Sequence, residues 1–278
     1  FPLFLSNALQ AIYNIVDMIV VGQYIGGSGM SAVSIGGDML HLLTFVAMGF
    51  SSAGQVLIAQ DVGAGKMDSV RKIIGTMFTF LLLASVTISV ICFAVREPML
   101  SLLNTPAESF KYTLDYTVTC IVGLVFIYGY NIVSAILRGM GDSRRPFIFI
   151  AIAAVLNLVL DIVFVVYMKM EVFGAALATV IGQGVSFVVS IVYLYIHRES
   201  FCFDFKLKSF AMDKKSLLRI VALGVPMAIQ SAAISMSKVV LMAWINMSGV
   251  VYSALTGIYN KLNYSTSFGT VLCQEACV

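Results

Sequence analysis

Long uninterrupted apolar runs, separated by short polar stretches, dominate the chain. They fall at about residues 3–25, 35–59, 73–95, 113–137, 147–168, 173–196, 217–245 and 251–274. A helix needs about 20 apolar residues to cross the hydrocarbon core of a bilayer, and each run is that long. Strands of a membrane barrel would instead alternate apolar and polar positions over segments of about ten residues. The pattern predicts eight transmembrane helices in an all-α integral membrane protein, a polytopic helical bundle. Breakers sit between the runs. "IGGSGMSA" (25–32) reads as a turn between the first two spans. In "LRGMGDSRRP" (137–146), Gly139 and Gly141 end the fourth helix and Pro146 starts the fifth.

Composition agrees with that pattern. The 278 residues are 60% apolar and 11% charged, against roughly 25% charged in soluble domains, too few charges to coat a water-facing surface. The charges that remain are unevenly placed. Of the 17 Lys and Arg, twelve follow spans two, four and six, including Lys66, Arg71, Lys72, Arg138, Arg144, Arg145 and the cluster from Arg198 to Arg219. Three follow the odd spans: Arg96, Lys111 and Lys169. By the positive-inside rule the even connections, and the N-terminal end, are cytoplasmic. The longest polar stretch, 197–216, reads as a basic linker lying at the anionic cytoplasmic lipid surface. The five cysteines show no zinc spacing and read as reduced or inert. "GAGK" (63–66) is not a phosphate loop, because Gln60 stands at the first glycine and Met67 follows the lysine.

The chain also repeats itself faintly. "FPLFLSNALQ" at Phe1 and "VPMAIQSAAI" at Val225 place Pro2 against Pro226, and Ser31-Ala32 matches Ser253-Ala254. A period near 220 residues with six spans per unit makes the repeat parallel, about an axis along the membrane normal. The expected organisation is a six-helix N-lobe (1–196), a cytoplasmic inter-lobe linker (197–216) and the start of a C-lobe (217–278), with four further spans in the intact protein.

Polar residues inside the spans point to chemistry. Span one holds Gln10, Tyr13, Asn14 and Asp17; span four, Tyr116 and Asn131; span five, Asn157 and Asp161; span six, Thr179 and Gln183. Asn157 and Asp161 are four apart, as are Tyr13 and Asp17, and Thr179 and Gln183, so each pair shares a helical face. One reading is that these residues hold the bundle together by interhelical hydrogen bonds, worth about 0.6 kcal/mol each. A carboxylate at mid-bilayer costs about 2.5–3.5 kcal/mol on insertion scales, a poor exchange for such a bond. The other reading is a site that takes up a proton or a small cation, since carboxylate, amide and hydroxyl oxygens suit a hard ion. Lys238 in span seven is a further buried charge, expected to face a cavity or an acid on another helix. The only histidines, His41 and His197, are far apart in this organisation, so no enzyme cluster forms.

Several of these stretches together resemble the multidrug and toxic compound extrusion (MATE) transporters. They are "YNIVDMIVVGQYIG", "QDVGAGKMDSVRK", "LRGMGDSRRP", "NLVLDIVFV" and "GAALATVIGQ", in that order over about the first 200 residues, followed by "LGVPMAIQ". The resemblance implies an antiporter of the plasma membrane, acting as a monomer without cofactor or nucleic-acid partner. Such a protein exports cationic or amphiphilic compounds in exchange for H⁺ or Na⁺. It also implies a coupling site of Asp17, Asn131, Asn157, Asp161 and Thr179, with any Na⁺ held at Asp17, Asn157, Asp161 and Thr179. Gln10, Tyr13, Asn14, Tyr116 and Gln183 would line the substrate cavity. Residues 217–248 contain no Asp or Glu, which places the resemblance on the DinF-like branch. A flippase for lipid-linked saccharides, from the same superfamily, is the alternative; it would call for cations rather than acids along the cavity.

The orientation is directly testable. Single-cysteine labelling in intact cells should leave 66–72, 138–145 and 198–215 protected and reach 96–111. External labelling at position 144 would reverse the topology.

Overall fold

A computed structural model describes residues 15–198, 201, 203–247, 251, 252 and 255. Among them are α1 (from Ile15 to Ile25), α2 (Gly27–Gly63), α3 (Met67–Ala94), a short α4 (Arg96–Leu102), α5 (Ala107–Gly139), α6 (Arg144–Asp161), α7 (Glu171–Ile196) and α8 (Lys214–Asn246). A π-helical segment, Ile162–Tyr167, continues α6. Four stretches are long and apolar enough to span a bilayer: Met67–Ala94, Ala107–Gly139, Arg144–Tyr167 and Glu171–Ile196. A fifth is α2, whose halves Gly27–Thr44 and Val46–Gly63 meet at 41°. These are the second to sixth expected spans. Most of the eighth lies outside the described residues.

Two expected boundaries shift. The turn expected over 25–32 shrinks to Gly26, which adopts φ 85°. Its N–H bonds the Gly22 carbonyl at 3.1 Å, and Met30 N–H bonds the Gly26 carbonyl at 3.1 Å. Helical bonding therefore resumes at once, because glycine alone enters the left-handed region without steric cost. The fifth helix starts at Arg144 rather than Pro146. Asp142 accepts from the N–H groups of Arg144 and Arg145 at 3.2 and 3.3 Å and pairs with the Arg145 guanidinium at 2.7 Å. That capping lets the helix begin earlier, and Pro146 falls in its first turn, where no N–H is missed.

Helix α5 is the hub. It packs on α2, α3 and α7, while α8 lies along α2. Glycines on α5 let its neighbours approach: Gly123 meets Val180, Gly129 meets the Phe187 ring and Gly139 meets Ile58. Small residues do this in lipid because helices there gain nothing by burying apolar surface and associate through close packing. Tyrosine and serine hydroxyls cross the same interfaces. Tyr128 donates to the Leu43 carbonyl (2.9 Å), Tyr130 to Pro146 (3.0 Å), Ser186 to Phe149 (3.2 Å) and Ser89 to Ile121 (3.0 Å). Leu83, Val90, Val122, Val155 and Val188 remain exposed, a surface suited to acyl chains.

The stretch expected to form the linker packs against the bundle. Phe201 and Phe203 are buried, and Phe203 and Phe210 pack on Phe78 of α3 with ring centroids 6.2 and 5.7 Å away. Gly75 leaves room for the Ser209 carbonyl, and Thr76 accepts from the Asp213 N–H at 3.1 Å. Asp213 then caps α8, accepting from the Ser216 N–H at 2.8 Å. That backbone donor holds its carboxyl below the usual carboxylate range. Lys206, Lys214 and Lys215 stay exposed. The aromatic positions of the linker thus anchor it to α3 while its charges remain outside.

The α2–α8 contact is tight enough to test. A Cβ on Gly49 would collide with the Ala228 backbone, whereas one on Gly37 meets nothing within 4 Å. Gly49→Val is expected to destabilise by about 1–3 kcal/mol through overpacking. Gly37→Ala should hold or raise stability by up to about 1 kcal/mol from helix propensity. Thermal melts of the detergent-purified protein compare them.

Candidate functional site

The central polar group forms where α6 meets α7. Asn157 and Asp161 lie one turn apart on α6 and are 4% and 1% exposed. Opposite them α7 presents a run of small residues, "GAALATVIG" (174–182). A Cβ on Gly182 would come within 3.2 Å of the Ala153 carbonyl and 3.5 Å of the Asn157 Cβ, so the two helices meet almost backbone to backbone. Thr179 reaches Asn157 across this contact. With the Asn157 amide oriented to match its partners, Nδ2 donates to Asp161 Oδ2 at 3.3 Å and the amide oxygen accepts from the Thr179 N–H at 3.2 Å. The Thr179 hydroxyl donates to the Ala175 carbonyl at 3.1 Å and lies 3.4 Å from the Asn157 amide. Carboxylate, amide and hydroxyl therefore converge on one buried point.

Just beyond Asp161 the helix widens. Met168 N–H bonds the Val163 carbonyl at 2.9 Å, an i→i−5 link of the kind found in π-bulges, which often mark functional sites. The sequence shows no breaker at this position.

Asp17 approaches from α1. It is 3% exposed. Val21, one turn after Asp17, and Val165, one turn after Asp161, pack in the same cluster with Tyr116, Cys120, Val172 and Ala175. Both carboxylates thus sit one turn from a shared apolar plug, on the first and fifth spans.

The other expected residues divide. Tyr116 is buried in that plug with its ring against Gly36. Asn131 is half-buried and its amide donates to the Ile127 carbonyl of its own helix at 2.8 Å. No described hydrogen bond joins it to the Asp161 group. Gln183 is half-buried one turn beyond Thr179. Gln10, Tyr13, Asn14 and the side chain of Lys238 lie outside the described residues. A cavity of about 320 Å³ opens elsewhere, between α3, α7 and the linker, with wholly apolar walls including Phe78, Phe187, Phe205 and Phe210.

A second polar group lies beyond what the sequence pattern marks as a site. Asp61, near the end of α2, is 4% exposed. The Arg219 guanidinium of α8 grips it with both nitrogens, at 2.7 and 3.0 Å, and Ser69 of α3 donates to the same carboxylate at 2.5 Å. In the sequence Arg219 reads only as one more cytoplasmic charge. The pairing spans 158 positions, and no local pattern announces it.

Known proteins resemble this chain in sequence and in fold. The MatE family profile matches residues 2–163. The probable multidrug resistance protein YoeA of Bacillus subtilis (strain 168) is 31% identical over 266 residues, 94% of this chain and 58% of YoeA. The probable multidrug resistance protein YpnP of the same organism is 29% identical over 89% of this chain and 55% of YpnP. The chain thus spans a little over half the length of these relatives. Among solved structures, a ligand complex of the MATE multidrug transporter DinF-BH superposes with a TM-score of 0.91 at 21% identity, over 96% of this chain and 60% of that one. An inward-facing MATE family transporter of the MOP superfamily gives 0.81 at 23% identity, over 90% and 56%. With more than half of its length matched by the family profile and the same helical fold in these structures, the chain belongs to the MatE family of multidrug and toxic compound extrusion proteins.

Proposed function

We propose that this chain is the N-lobe and the beginning of the C-lobe of a cation-coupled multidrug exporter of the plasma membrane. It would work as a monomer, exchanging H⁺ or Na⁺ for cationic or amphiphilic compounds by alternating access. The observation that carries the reading is the buried group of Asp161, Asn157 and Thr179, with Asp17 one turn from the same apolar plug. A carboxylate is kept at such a depth at a cost of about 2.5–3.5 kcal/mol, more than an interhelical hydrogen bond returns. Uptake of a proton or cation relieves that cost. Asp161, Asn157 and Thr179 supply the donor set, Asp17 supplies the second charge, and Asn131 closes the site from α5 in the fully assembled lobe. Gln10, Tyr13, Asn14, Tyr116 and Gln183 line the path of the substrate.

The mechanism follows from charge. With the ion absent, two carboxylates repel each other and attract a cationic substrate. With the ion bound, net negative charge falls and the helices around the plug close. The ion drives the cycle only through its different affinity for the two conformations. The solved ligand complex of DinF-BH supports a small-molecule site in this fold, and the names of YoeA and YpnP support multidrug substrates.

Asp161→Asn and Asp17→Asn are each expected to abolish coupled export by the full-length protein while the melting temperature holds or rises, because charge is lost without volume. Efflux is measured with the proton and sodium gradients collapsed in turn, which also identifies the coupling ion. Full coupled export in both variants, or a large loss of stability with normal export per folded molecule, would make the aspartates structural.

A further inference from the structure

The ion pair between Asp61 and Arg219 is a built polar group that the coupling site does not use. Its construction is specific. Helix α2 ends at Gly63, and Gly65 takes φ 69°. Lys66 N–H returns to the Asp61 carbonyl at 2.8 Å, and Ser69 N–H bonds the Lys66 carbonyl at 3.0 Å. This tight turn, the "GAGK" that mimics a phosphate loop, carries Ser69 of α3 back onto the Asp61 side chain. Two helices of the first lobe therefore present one preset carboxylate. Arg219 is delivered from the opposite direction by the Asp213 cap and the linker docked on Thr76.

We propose that Asp61 and Arg219 form a latch that holds the cytoplasmic ends of α2 and α8 together and must part for the cytoplasmic face to open. The proposal rests on the two-lobe reading, in which α8 belongs to the second lobe. Three features support it. The pair is bidentate, the strong geometry for a guanidinium on a carboxylate. It joins the two helices whose separation would open that face, with Ser69 preventing Asp61 from turning away. Arg219 keeps 41% of its side chain exposed against 6% for Asp61, so water can take over the guanidinium when the pair parts. The far end of α8 is joined differently. There the Asn104 amide donates to the Ala243 carbonyl at 3.4 Å, a long neutral bond. Among the described residues the stronger tie is thus at the cytoplasmic end, and the latch favours opening to the outside.

The test is a distance measurement on the full-length protein in lipid nanodiscs without substrate. Spin labels are placed on Ala64→Cys and Leu218→Cys, both exposed and on opposite sides of the pair. Double electron–electron resonance then reads the separation. Asp61→Asn and Arg219→Gln should each raise the ratio of the longer to the shorter separation by about tenfold, equivalent to about 1.4 kcal/mol. The double variant should open no further, because the two residues act as one unit. Unchanged distributions in the single variants, or a double variant whose effect is the product of the two, overturn the latch. Melting temperatures are taken on the same samples. Where a variant fails to fold, Ser69→Ala replaces it, with a smaller shift expected in the same direction and no shift overturning the proposal. The measurement uses neither substrate nor ion gradient, so it can fail while the export assays on Asp161 succeed, and the reverse.

Discussion

Everything in this chain depends on one constraint: the hydrocarbon core offers no hydrogen-bond partner, so each polar group inside it must be met by the protein or by water. Helices satisfy the backbone within each span. Side chains must then find partners across spans, and several reach a neighbouring helix's carbonyls. Tyr128 and Tyr130 reach carbonyls on α2 and α6, and Ser186 and Ser89 reach α6 and α5. These bonds run through the hub helix α5 and its neighbours and fix how the spans are turned about their own axes.

Close approach makes such bonds possible. Lipid supplies no driving force for burying one apolar helix against another, so contact area and fit decide the packing. Glycine at 123, 129 and 139 brings α5 onto its neighbours, and glycine at 182 brings α7 onto the α6 backbone. The last contact matters most. Thr179 meets Asn157 because nothing larger than hydrogen stands at Gly182. A methyl there would press on the Ala153 carbonyl, which would have to give by a few tenths of an ångström.

Charge is concentrated at two depths, and the two groups differ in kind. Around Asp161 a buried carboxylate meets the Asn157 amide, which in turn bonds to Thr179. At Asp61 the carboxylate meets a full opposite charge at the rim, where water screens part of the interaction. In the function proposed above, the first arrangement would bind and release an ion and the second would tie two elements together. In the proposed cycle the first would supply the free-energy difference between conformations and the second would set which face opens more easily.

Much of this was legible in the chain itself. The length and continuity of the apolar runs determined an all-α membrane bundle, because only a helix of about 20 residues satisfies its own backbone across the bilayer. Helical spacing determined that Asn157 and Asp161 share a face, because that geometry is local to one helix. The glycines at 26 and 27 announce a turn but not its width, since one residue at positive φ suffices to redirect the chain. Residues distant in sequence were another matter. That Thr179 rather than Asn131 bonds to Asn157, that the helix opens into a π-turn after Asp161, and that Arg219 crosses 158 positions to Asp61 were decided only by the tertiary structure. Each depends on how far one helix slides and rotates against another, and that is set by the summed fit of many small contacts which no single stretch of sequence contains.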